Sequence, residues 1–164
     1  MARLLKLPQV QQVHLLPGEW DIMATLAFEE EVIDPREHLV DIVSGKIRKM
    51  SLVERTNTIV PAISRMKETH VARPERRAYA FTFIQTKMGK ELEVLNRIMK
   101  YDEVFESHLV LGKSDVLAVL EFEKGLIPPV PERIANILTG KLAKISDIVD
   151  TETISPLRSV VKSD

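Results

Sequence analysis

The sequence predicts an α+β fold in which a ferredoxin-like βαββαβ unit is written twice, the first time without its first strand. Three observations predict it. Residues 3–29 align with residues 97–123 at a constant offset of 94, which sets His14 on His108, Gly18 on Gly112, Asp21 on Asp115 and Phe28 on Phe122. One extra residue then enters and the offset becomes 95, so Gly45 falls on Gly140, Thr56-Asn57-Thr58 on Thr151-Glu152-Thr153 and Pro61 on Pro156. Only the second copy is preceded by a strand-like run, residues 79–86. Positions kept in both copies are the ones the unit needs, for fold or for site.

The elements follow in order. Residues 10–16 and 20–28 are apolar runs joined by Pro17-Gly18-Glu19, a turn signal because glycine accepts positive φ. Residues 104–111 and 115–122 repeat this around Gly112-Lys113-Ser114. Both pairs read as β-hairpins. Leu39, Ile42, Val43, Ile47 and Met50 form one stripe at a period near 3.6, and Ile134, Ile137, Leu138, Leu142 and Ile145 form another. Asp34 reads as an N-cap with Pro35 opening the helix, and Pro131 takes the comparable place in the second copy. Gly45 and Gly140 sit in these helices at ~1 kcal/mol relative to alanine. Either a backbone or ligand approaches closely there, or both were inherited from one ancestor. Residues 53–59 and 149–154 read as closing strands. Leu92, Leu95, Ile98 and Met99 give a further helix one buried face.

The expected domains are residues 1–64, an incomplete first copy; 65–77, a charged linker; and 78–164, a complete second copy. In this fold the first strand is central, so its absence from the first copy exposes two rows of backbone groups, to be filled by a segment upstream of Met1, by a strand swapped from a neighbouring chain or by part of residues 60–77. The open sheet face of such a unit packs on another sheet, so the halves pair or the chain dimerises.

Composition narrows the function. The 164 residues carry 23 basic and 24 acidic side chains, a net charge of −1. No global charge draws the chain to nucleic acid or an anionic membrane. The absence of cysteine excludes disulfides, thiolate metal sites and a cysteine nucleophile. No stretch approaches the ~20 apolar residues of a membrane span, and the N-terminal run is too short for a signal peptide. The expectation is a cytoplasmic protein. Arg73-Pro74-Glu75-Arg76-Arg77 reads as a solvated connector. No glycine-rich phosphate loop or Gly-x-Ser-x-Gly elbow occurs. Residues 29–31, all glutamate, and Glu121 with Glu123 read as a solvated rim at strand ends. The chain is not expected to be an enzyme.

The stretch from Tyr79 to Gly89, then residues 104–115, then Thr151-Glu152-Thr153, resembles the ligand-binding (RAM) domain of Lrp/AsnC transcription regulators. The first copy matches the family's Gly-x-aromatic-Asp signature as Gly18-Glu19-Trp20-Asp21, whereas the second has Ser114 at the aromatic position. The family's N-terminal helix-turn-helix has no counterpart here. The resemblance implies a stand-alone amino-acid sensor without its own DNA-binding domain. It implies homo-oligomers, from a dimer to a ring, and full-length Lrp/AsnC paralogues as partners, with no direct nucleic-acid or membrane contact and no cofactor.

The implied ligand-binding residues are Gly18, Asp21, Thr56, Thr58, Gly112, Asp115, Thr151 and Thr153. Their chemistry fits an amino acid. Asp21 and Asp115 can accept from an ammonium, Gly18 and Gly112 leave backbone N–H groups approachable, and the threonines, on one strand face by the period of two, can donate hydroxyls. The bland readings are a turn cap for the aspartates and β-propensity for the threonines. Two alternatives stand beside the sensor. His14 and His108 repeat and imidazole suits several metals, so a metal- or haem-binding dimeric α/β-barrel protein is one. A ligand-free protein that co-assembles with full-length regulators is the other.

Overall fold

Alternating side chains in residues 77–86 build a ten-residue strand, and the second half assembles around it. A computed structural model of the chain describes residues 1–28, 35–68 and 76–162. The expected cap Asp34, the glutamates 29–31 and residues 73–75 of the expected linker lie outside the described residues. Eight strands are described: β1 (Val10–Leu15), β2 (Ile22–Leu26), β3 (Ile63–Met66), β4 (Arg77–Thr86), β5 (Val104–Leu109), β6 (Val116–Glu123), β7 (Ile148–Ile154) and β8 (Arg158–Val161). The helices are α1 (Pro35–Val40), which continues as a π-helix over Asp41–Ile47, α2 (Glu91–Ile98) and α3 (Val130–Gly140).

The second half is ferredoxin-like. Its strands lie in the order β5-β6-β4-β7, with β4 in the centre, and all pairings are antiparallel. Ala80 and Ile84 of β4 and Val116, Ala118 and Leu120 of β6 form a core with Val94, Leu95 and Ile98 of α2 and Ile134 and Ile137 of α3. Val94, not the expected Leu92, completes the buried face of α2, and Leu92 is 46% exposed. The first half has both expected features of its own, a β1–β2 hairpin with His14 opposite Met23 and a helical segment that buries Ile42 and Ile47 against Val10 and Val13.

Residues 53–59 do not form the expected closing strand. A strand needs a ladder partner. In the second half β4 supplies it to β7, and among the described residues the first half has no strand in that place. The chain instead runs on to β3, which leaves its own half and pairs with the outer edge of β5. At the other end β8 does the reverse and pairs with the outer edge of β1. The expected linker therefore begins inside β3 and ends on the first residue of β4.

The two crossings match bond for bond. Leu15 O accepts from Leu157 N at 2.8 Å, and Leu109 O accepts from Ala62 N at 2.8 Å. Lys162 Nζ donates to Leu7 O at 3.0 Å, and Lys67 Nζ donates to Tyr101 O at 2.6 Å. Each pair is separated by the sequence offsets of 94 and 95.

The sheets β2-β1-β8 and β3-β5-β6-β4-β7 pack face to face. Leu16, Trp20, Met23 and Val161 from the first meet Tyr79, Phe81, Val110, Leu117 and Val119 from the second. With helices on both outer faces, the molecule has four layers: helix, sheet, sheet, helix. Gly45 and Gly140 meet no other element: a Cβ built on either has open space around it. Among the described residues no other backbone approaches either glycine, which leaves inheritance from one ancestor or a ligand as the reading, and Gly140 is the last residue of α3.

Candidate functional site: the glycine turns and the inter-sheet histidines

Each hairpin turn needs a residue at positive φ, and glycine supplies it, with φ of 114° at Gly18 and 149° at Gly112. The hairpins close alike. Leu16 N donates to Asp21 O and Val110 N to Asp115 O, both at 2.9 Å. From there the two turns differ.

In the second turn Asp115 is tied to the fold. Its Oδ2 accepts from Thr86 N at 2.7 Å and from Thr86 Oγ1 at 3.2 Å. The carboxylate thereby clamps the end of β4 to the start of β6. Thr151 and Thr153 lie on β7, opposite Ile84 and Thr82. Paired residues share a face, so both hydroxyls lie on the helix side of the sheet. Thr153 Oγ1 meets Thr82 Oγ1 at 3.0 Å. Asp115 and Thr151 thus flank the end of β4 from opposite sides, about two strand spacings or ~10 Å apart.

In the first turn Asp21 is exposed, and among the described residues no hydrogen bond or ion pair engages its carboxylate. Beside it, the Arg55 guanidinium lies 4.6 Å from the centre of the Trp20 ring. Arg55 also reaches Glu19 Oε1 at 3.3 Å and Glu19 O at 3.4 Å. This ties residues 53–59 to the turn without a strand. Thr56 follows Arg55 and is half-buried, while Thr58 is exposed. Neither is on a strand, so the expected shared strand face holds only for Thr151 and Thr153. Arg55 did not stand out in the sequence, because at the offset of 95 its counterpart is Asp150. The signal was the reversal itself: Glu19 and Arg55 correspond to Lys113 and Asp150, opposite charges in both copies with their signs exchanged.

The repeated histidines lie elsewhere, between the sheets. His14 is fully buried. Its Nδ1 meets Ser159 Oγ at 2.8 Å and its Nε2 meets Gln12 Oε1 at 3.1 Å. The amide oxygen only accepts, so Nε2 carries the proton and Nδ1 accepts from the serine hydroxyl. The ring packs edge-on against Phe81 and Tyr79, with centroids 4.8 and 5.4 Å away. Burial lowers its pKa to about 4, only partly offset by the Glu106 carboxylate. His14 is therefore neutral near pH 7. Burial also pushes the Tyr79 phenol up.

His108 repeats the arrangement, with Nδ1 at 2.9 Å from Ser64 Oγ and Nε2 at 2.9 Å from Glu106 Oε2. All four ring nitrogens of the pair thus meet protein groups. Among the described residues no group of three or more His, Asp or Glu side chains is arranged to hold a metal ion. No helix among them is long and apolar enough to cross a membrane.

No protein-family model matches the chain, and no curated protein matches it. Solved structures similar to it include E. coli AsnC, at 16% identity and a TM-score of 0.49 over 80% of this chain and 77% of that one. A transcriptional regulator from Neisseria meningitidis, solved as a complex with L-Met, is similar at 16% identity and a TM-score of 0.42, over 58% of this chain and 59% of the other. A hypothetical protein from Pyrococcus horikoshii is similar at 24% identity and a TM-score of 0.40, over 52% of this chain and 92% of that one.

Proposed function

We propose that the chain is a stand-alone, non-catalytic sensor of the Lrp/AsnC type that binds an amino acid at the Gly18–Asp21 turn. Its halves are read as a tandem duplication of one RAM-like unit, fused so that one chain does the work of a subunit pair. The observation that carries the binding assignment is the gathering of Asp21, Trp20 and Arg55 at one exposed turn.

An amino acid brings an ammonium, a carboxylate and a side chain. Asp21 is the acceptor for the ammonium. Arg55 presents a planar fork that fits a carboxylate with two hydrogen bonds. The Trp20 ring, packed on the inter-sheet core, holds the Arg55 guanidinium over it, and the positive-φ turn at Gly18 leaves backbone N–H groups approachable. The Arg55–Glu19 pair is exposed, and such pairs contribute ~1 kcal/mol or less, so a ligand carboxylate can displace Glu19 cheaply.

The second turn lacks this set. Ser114 stands in place of Trp20, Asp150 in place of Arg55, and Asp115 already braces Thr86. The first turn is therefore the binding half, and the second is a structural clamp with a secondary claim through Gly112, Thr151 and Thr153. In this reading the protein works in the cytosol as a homo-oligomer or together with full-length regulators. It does not contact DNA itself.

A thermal-shift screen of the purified chain against the amino acids tests the proposal. Ligand at ~100 times its dissociation constant adds ~2.7 kcal/mol, which raises the midpoint by several degrees for a chain of this size. The shift must vanish with Arg55→Gln. An unchanged shift in that variant removes the assignment to this turn.

A further inference from the structure

Three polar side chains converge where β3 crosses to the second half. Ser64 of β3 lies opposite His108 of β5, and Glu106 lies two residues before His108 on the same strand. Residues two apart on a strand share a face, and so do paired residues, so all three project to one side of the sheet. His108 Nδ1 is 2.9 Å from Ser64 Oγ, and His108 Nε2 is 2.9 Å from Glu106 Oε2. A carboxylate only accepts, so Nε2 carries a proton, and in the neutral ring Nδ1 is then the acceptor for the Ser64 hydroxyl. A hydroxyl held on a base, with the base oriented by a third group, is the arrangement that activates a serine.

The first half carries the same bonds without the acid. Ser159, His14 and Gln12 repeat the geometry at 2.8 and 3.1 Å. A neutral amide therefore suffices to orient the ring and hold a crossing strand. Glu106 does this with a side chain only 14% exposed, and a carboxylate costs more to bury than an amide. Among the described residues His108 is the only side chain that its carboxylate meets in a hydrogen bond or ion pair.

The serines also differ in access. Ser159 is half-buried, whereas Ser64 is exposed, on a strand that ends its sheet. A hydroxyl so exposed adds little to stability. It faces the base on one side and solvent on the other.

We infer that Ser64 is an activated nucleophile that accepts an acyl group from an activated ester or thioester. Its Oγ forms the new bond to the carbonyl carbon, and the bond from that carbon to the leaving oxygen or sulfur breaks. The Oγ proton passes to His108 Nδ1 and from there to the leaving group. The product is an acyl-serine, one per chain, a covalent mark on the protein rather than a turnover. Glu106 is a positioning residue that fixes the ring and stabilises the imidazolium formed on the way. The Gly18 turn and its ligand play no part in this chemistry.

Acetylation of the full chain by p-nitrophenyl acetate, mapped by peptide mass spectrometry, tests it. Ser64 is expected to react at least ~100 times faster than the exposed Ser51 and Ser155. That comparison is made within the wild-type chain, so it stands whatever the variants do to folding. Glu106→Gln copies the first half, should keep the melting midpoint, and should slow Ser64 at least ~10-fold. Glu106→Asp keeps the acid and should be slowed less. His108→Gln should bring Ser64 down to the rate of Ser51. Ser64 reacting no faster than Ser51 overturns the inference. So does a Ser64 rate that Glu106→Gln leaves unchanged, or one that falls equally in the glutamine and aspartate variants, because the acid is then only structural.

Discussion

His14 and Ser159, 145 positions apart, share a 2.8 Å hydrogen bond across the β1–β8 pairing. The bond holds the C-terminal strand to the first half, and its partner bond, His108 to Ser64, holds the middle of the chain to the second. The two halves are thus laced together in both directions.

The two serines are not expected to be equal. Ser159→Ala leaves Nδ1 of a fully buried histidine without a donor and costs about 1–3 kcal/mol. Ser64 is exposed, water can replace it, and Ser64→Ala costs less than ~0.5 kcal/mol. Urea unfolding of the two variants checks the ratio. Equal losses contradict the structural difference between the two crossings.

The His14 pKa also sets a pH dependence. In the unfolded chain the imidazole titrates near 6.5, and in the folded chain near 4. Between these values the unfolded state binds the extra proton, so stability falls as pH is lowered. The stabilisation is fully present above pH 6.5 and is lost by about pH 4, roughly 3 kcal/mol in all. His14→Gln should be less stable at pH 7 and should lack this part of the pH slope. A variant with the wild-type slope between pH 6.5 and 4 assigns the dependence to other groups.

This much of the architecture was only partly legible in the sequence. The hairpins were, because glycine at Gly18 and Gly112 punctuates two apolar runs. The central β4 was, as an apolar and β-branched run over residues 79–86, two residues short of its start at Arg77. The crossing strands were not. Ile63–Met66 and Arg158–Val161 are four residues each, too short to carry a period, and their pairing depends on the partner edge. Residues 53–59 failed as a strand for the same reason, since their composition suits one but no ladder partner is present among the described residues. Arg55 was hidden because its counterpart carries the opposite charge.

Glycine substitutions separate backbone need from inheritance. Alanine at Gly18 or Gly112 meets no atom within 4 Å, so its cost is the positive φ alone, about 1–2 kcal/mol. Gly45→Ala and Gly140→Ala also meet open space, within helical segments and without a positive φ, and should stabilise by up to ~1 kcal/mol. Thermal melts of the four variants check both signs. Destabilisation at Gly45 or Gly140 points to something that packs on those helices in the assembled protein.

The two aspartates should also part company. Asp115→Ala removes two hydrogen bonds to Thr86, one of them to its backbone N–H, and should cost ~2 kcal/mol. Asp21→Ala removes an exposed carboxylate and should change stability by no more than ~0.5 kcal/mol. Denaturant midpoints decide this without any ligand.

The most direct measurement is calorimetric titration of the amino acid that gives the largest thermal shift into the wild-type chain, Asp21→Asn and Asp115→Asn. The account predicts that Asp21→Asn weakens binding at least tenfold while the fold stays intact, and that Asp115→Asn lowers stability with affinity within about threefold of wild type. Binding that survives Asp21→Asn and is lost in a folded Asp115→Asn variant contradicts the account and moves the site to the second turn.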